Sequence, residues 1–134
     1  MLRLAAGITA ALLVAGCSGG GSSSSANSPA GPSSSGSSSP SSATITITSN
    51  GVSPSSVTIA AGGQVTFVNN DVQTHNMQSD PHPEHTDCPE LAQVGFLTPG
   101  QSRASGNLTV IRTCGYHDHD DFANSRLWGK IIIQ

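Results

Sequence analysis

Gln64-Val65-Thr66-Phe67-Val68-Asn69 reads with a period of two, Val65 and Phe67 sharing one face, and it follows a turn at Ala61-Gly62-Gly63. That period belongs to a half-buried strand. Upstream, Thr44-Ile45-Thr46-Ile47-Thr48 alternates in the same way, Asn50-Gly51 and Ser53-Pro54 mark a turn, and Ser56–Ala60 forms a further short strand. Downstream, Val94–Leu97 and Leu108–Arg112 read as strands separated by a turn at Pro99-Gly100, and Trp128–Gln134 as the last one. Its run Ile131-Ile132-Ile133 suits a strand covered on both faces. Short strands at this spacing, punctuated by Gly and Pro, predict an all-β sandwich.

The 134 residues carry a formal charge of -3 and only 10% charged side chains, with 15 Gly and 8 Pro. Without a basic patch, nucleic acid is not an expected partner. The sandwich accounts for about the last two thirds of the chain. Met1–Gly16 has one cation, Arg3, an apolar run from Leu4 to Val14, then small residues, which is the pattern of a secretory signal peptide too short to anchor in a membrane. Val14-Ala15-Gly16-Cys17 resembles the lipobox of bacterial lipoproteins, and the resemblance implies that Cys17 is diacylated and becomes the mature N-terminus. Residues 17–42 then read as a Ser/Gly/Pro-rich tether that buries too little to fold. Its reach is roughly 25–30 Å. The folded domain is expected over 43–134, exported and held by lipid at the periplasmic or cell-surface face of the envelope.

Chemistry concentrates in two stretches. Asn70–Leu91 carries His75, His82 and His85 among carboxylates and Pro81, Pro83 and Pro89, and reads as a long surface excursion. Thr113-Cys114-Gly115-Tyr116-His117-Asp118-His119-Asp120-Asp121 packs two imidazoles, a sulfur and three carboxylates into nine residues. On an extended backbone His117 and His119 project to the same side about 7 Å apart, able to share a metal. Asp118, Asp120 and Asp121 are candidates to accept the second ring N–H of each histidine. Imidazole suits copper, zinc and nickel, and affinity among divalent ions favours Cu(II). Met77 reads as a core gap-filler or loop residue, and Tyr116 and Trp128 as core aromatics.

From Val52 to Gln134 the chain resembles the cupredoxins, Greek-key β-sandwiches that house copper. The resemblance is carried by Pro54 with Val57-Thr58-Ile59, Gly62 with Val65–Asn69, His75-Asn76, Pro99-Gly100, and Tyr116-His117 with Gly129–Ile133. It implies that His75 occupies the place of the family's first histidine ligand. Two registers compete for the remainder. In one, Cys114 and His117 form a Cys-x-x-His pair, giving a type 1 copper site with His75. In the other, Asp118 takes the place of the ligand cysteine and Leu127 that of the axial methionine. The second keeps the loop to Gly129 at the family's length and removes the thiolate that makes a site blue. Tyr116-His117-Asp118-His119 also resembles a copper-binding strand of multicopper oxidases.

Cys88 and Cys114 likewise have two readings. As a disulfide they pin the histidine loop against the Tyr-His-x-His strand, worth roughly 3–4 kcal/mol in the chain-entropy model. As a thiolate ligand, Cys114 would leave Cys88 unexplained. The expectation from the whole sequence is a copper-binding domain that buffers, sequesters or delivers copper through His75, His82, His85, His117 and His119. The alternatives are a one-electron carrier with a type 1 site at His75, Cys114 and His117, a small copper oxidase or a subunit domain of one, and a metal-free interaction module. A redox or copper-transfer protein is the expected partner, and no catalytic constellation stands out from the histidines.

Overall fold

The computed structural model describes residues 38–134; the leader, Cys17 and most of the tether lie outside the described residues. Among the described residues nine strands form two sheets. In the first sheet the order is β2 (Gly51–Ser53), β1 (Ser42–Thr48), β4 (Gln64–Asn69) and β7 (Ser102–Ala104). The second runs β3 (Ser56–Ile59), β9 (Gly129–Ile133), β8 (Arg112–Asp118), β5 (His75–Ser79) and β6 (Gly95–Leu97). Within these sheets β1 runs parallel to β4 and β3 parallel to β9, while the other pairs are antiparallel.

Period-two patterning explains which faces meet. Ile45 and Ile47 of β1, Val65 and Phe67 of β4, and Ile131 and Ile133 of β9 all turn into one core. Phe67 and Tyr116 close it across the two sheets, their ring centroids 5.2 Å apart and nearly perpendicular, a favourable edge-to-face contact. Met77 fills the same core at 1% exposure. At one end Asn69, fully buried, donates to the carbonyls of Gln73 (2.7 Å) and Leu97 (2.8 Å) and accepts from the Asp71 N–H (2.8 Å). One side chain thus sets the turn that delivers Asp71 and His75.

Three sequence expectations change. The excursion over Asn70–Leu91 contains β5, which lies inside the second sheet between β8 and β6. All three prolines of that stretch come after Ser79, so nothing in His75–Ser79 interrupts a ladder. Leu108–Arg112 is not a strand: Leu108 makes an isolated bridge to Gly63, and Val110 and Ile111 are exposed where the chain crosses between sheets. Trp128 is not a core residue but 40% exposed, because β9 begins only at Gly129.

Cys88 and Cys114 are joined in a disulfide with Cα atoms 5.8 Å apart. Both are completely buried. The following 3-10 turn, Pro89–Gln93, is tied to the start of β8 by Arg112, whose guanidinium donates to both Glu90 carboxylate oxygens at 2.8 and 3.1 Å. The loop between β5 and Cys88 is therefore anchored at both ends on β8 or its neighbour.

Candidate metal centre

On β8 the residues alternate between two environments. Cys114, Tyr116 and Asp118 face the interior, so Gly115 and His117 face outward. His117 is nevertheless fully buried, because the loop after β5 folds back over it. That return starts at once: the Asp80 N–H donates to the Gly115 carbonyl (3.0 Å), and the loop closes with His85 N–H to Pro81 O and Asp87 N–H to Asp80 O, both 2.7 Å. His85 takes a left-handed backbone, φ 55°, uncommon for a residue with a Cβ.

The outcome is a cluster of four imidazoles, His82, His85, His117 and His119, each offering one nitrogen within 4.8 Å of the others. His119 Nδ1 and His85 Nε2 are 3.0 Å apart. His82 Nδ1 and His117 Nε2 are buried and have no hydrogen-bond partner. Orphaned buried nitrogens are costly and call for a ligand. Bonds of about 2.0–2.1 Å to a tetrahedral ion require nitrogens roughly 3.3 Å apart. The cluster is already near that size, so small rotations would close it.

The other nitrogen of His117 shows how the site is held. His117 Nδ1 meets Asp80 Oδ1 at 2.6 Å, which orients the ring and leaves Nε2 as the free, basic atom. Sequence reasoning looked for this carboxylate at Asp118, Asp120 or Asp121. Asp118 cannot serve, since it projects from the opposite face of β8 to its two histidine neighbours. Gly115 permits the arrangement: a Cβ there would lie 2.7 Å from the Asp80 carboxyl carbon. Phe122 was also missed. Its ring stacks on His82 (centroids 4.4 Å, 18°) and stands edge-on to His117 (5.0 Å, 82°).

Burial and the neighbouring His119, His117 and His82 hold the His85 ring below the ordinary histidine pKa, against a smaller opposite pull from Glu84. An imidazole that resists protonation stays available as a neutral ligand. Tyr116, the core residue beside this strand, has its hydroxyl pKa raised by burial alone. It offers no anionic ligand.

His75 lies outside the cluster. From β5 it faces the interior end of the sandwich, where Nδ1 meets Asp118 Oδ2 at 2.7 Å and Nε2 meets Asp71 Oδ2 at 3.2 Å. The second Asp118 oxygen accepts the Asn76 N–H (3.0 Å) and Asp120 N–H (3.2 Å). Asp118, and not Cys114, therefore faces His75. Beside them lies a cavity of about 100 Å³ lined in part by Asp71, His75, Asn124 and Leu127. Both nitrogens of His75 are engaged by carboxylates, and Cys114 is engaged by Cys88. In this state neither is free to join a type 1 site with His117.

No protein-family model and no curated protein matches the chain. Solved structures do. An amicyanin from Paracoccus versutus is 21% identical with a TM-score of 0.54, matching 69% of this chain and 81% of its own. A purple cupredoxin from Nitrosopumilus maritimus is 20% identical with a TM-score of 0.51, over 69% of this chain and 99% of that one. The plastocyanin of Dryopteris crassirhizoma is 18% identical with a TM-score of 0.53, over 68% and 99%. The likeness establishes a cupredoxin-like fold.

Proposed function

We propose that this cupredoxin-like domain binds copper through His82, His85, His117 and His119, and that it buffers, sequesters or delivers the ion at the cell envelope. The observation that carries the reading is that four imidazoles each offer a nitrogen within 4.8 Å of the others, and that two of them, His82 and His117, hold a buried nitrogen with no hydrogen-bond partner. An all-imidazole set suits a borderline divalent ion, and Cu(II) is favoured within that group. The chain's own residues do the rest of the work. Asp80 orients His117, Glu84, Asp87, Asp120 and Asp121 stand exposed around the loop and strand end, and their charge favours a cation.

The envelope location rests on the leader, Cys17 and the tether. Two or more acyl chains on Cys17 would hold the protein to a bilayer. Among the described residues no helix is long and apolar enough to cross a membrane. A copper-transfer protein remains the partner this role asks for.

The deciding experiment is the spectrum of the copper-loaded full chain. One Cu(II) per chain with type 2 electron paramagnetic resonance and nitrogen superhyperfine structure is the expected result. Intense absorption near 600 nm with a small parallel hyperfine splitting would instead establish the electron carrier, which requires the Cys88–Cys114 bond to be open. Absence of copper uptake at micromolar protein would leave an interaction module on this fold.

A further inference from the structure

Five aromatic side chains serve the whole protein. Three of them lie outside the core, Phe96 and the adjacent pair Phe122 and Trp128, the pair at 38% and 40% exposure. The pair is not loose. Phe122 lies against His82 on one side and Trp128 on the other, the latter stacked at 5.1 Å and 30°. The indole N–H of Trp128 donates to the Phe122 carbonyl at 3.0 Å, so backbone and ring are both held. Phe122 also touches His117 edge-on. A single side chain thus covers the outer face of one candidate ligand and the edge of another, and the inward nitrogens of those same two histidines are cut off from solvent.

We infer that Phe122, propped by Trp128, is a specificity-determining wall of the four-imidazole site that closes it to small exogenous ligands. This inference rests on the copper-binding reading above and deepens it. A metal site whose protein ligands fill its coordination holds an ion, whereas one with an open position presents it to water or substrate. Phe122 supplies an apolar surface against both His82 and His117. It has no atom able to coordinate and none to hydrogen-bond an incoming anion. Trp128 acts through Phe122 and is a positioning residue.

The test titrates azide into the copper(II)-loaded full chain, following paramagnetic resonance and the azide-to-copper charge-transfer absorption. Wild type, Phe122→Ala and Phe122→Tyr are compared, all of equal charge. Phe122→Ala is expected to bind azide at least about tenfold more tightly than wild type, a difference of about 1.4 kcal/mol, while Phe122→Tyr behaves as wild type. Equal azide affinity in wild type and Phe122→Ala overturns the inference. Thermal melts of the metal-free variants show whether truncation disturbed the fold. If Phe122→Ala does not fold, Trp128→Ala removes the prop alone, and an unchanged azide affinity there is equally fatal. Wild type that takes up no copper, or binds it with fewer than four nitrogens, defeats the copper reading and this inference together. That outcome is visible before azide is added, so the two failures are told apart.

Discussion

Gly115→Ala should damage the metal site while sparing the sandwich. A Cβ at this position would sit 2.7 Å from the carboxyl carbon of Asp80, and ordinary contact needs close to an ångström more. Retreat by that distance takes the 2.6 Å bond between Asp80 Oδ1 and His117 Nδ1 out of hydrogen-bond range. Loss of such a partner of a ligating histidine typically costs 10–100-fold in metal affinity, or about 1.4–2.7 kcal/mol. The Asp80 side chain is 41% exposed, so solvent screening places the expectation near the lower end, about tenfold. The metal-free domain should change little. A hydrogen bond worth about 1 kcal/mol is lost, and a strand gains roughly 0.5–1 kcal/mol when Ala replaces Gly. Copper affinity would be measured by competition with a chromophoric chelator, and stability by thermal unfolding of the metal-free chain. Asp80→Asn keeps the shape and removes the charge, and should fall between wild type and Gly115→Ala. An unchanged copper affinity in Gly115→Ala would refute the argument that Asp80 sets the His117 ring.

Four further outcomes are expected. Because the His85 pKa is lowered in the folded state, the unfolded chain binds more protons, so stability is full above about pH 6.5 and declines as pH falls through the lowered value; melts at pH 7.5, 6.5 and 5.5 should show this, and a midpoint that rises on acidification would contradict it. Copper affinity should weaken over the same window, since protons compete for the imidazoles. Replacing Cys88 and Cys114 together by serine should cost roughly 3–4 kcal/mol, the closed segment spanning 26 residues, and should weaken copper binding by freeing the loop; two reactive thiols in the untreated, unfolded domain would show that the bond is not there. His75→Ala should leave copper stoichiometry unchanged but destabilise the domain by about 1–3 kcal/mol, since the buried Asp118 carboxylate loses a partner; loss of the copper instead would return His75 to the ligand set.

The resemblance in the sequence puts a first histidine ligand at His75, which lies at the interior end of the sandwich. Here that place holds a carboxylate–imidazole–carboxylate contact between Asp118, His75 and Asp71. The four-imidazole cluster lies on the other face of the same strand. A wall at Phe122 and the disulfide under the loop would both suit a protein that keeps an ion rather than turning over a substrate on it. Asp118 links the two places. It accepts the Asp120 N–H and so shapes the strand end between His117 and His119.

Much of this was legible in the residues alone. Period-two alternation in Thr44–Thr48 and Gln64–Asn69 specifies which side chains enter a core, because a strand has only two faces. The same rule puts His117 and His119 on one side and Asp118 on the other, which already removes Asp118 as their carboxylate partner. Cys88 and Cys114 read in the sequence either as a disulfide or as a thiolate ligand with an unexplained second cysteine, and the structure joins them. What the sequence could not order is the set of contacts between residues remote along the chain. Whether His75 joins His117 depends on which face of the sheet each reaches, and that follows from the register of β5 against β8. Asp80 finds His117 across 37 positions only because the loop turns back over Gly115. Phe122 finds His82 only because the two loops meet on that same face. Local period decides the face of a side chain, and long-range pairing decides its neighbours.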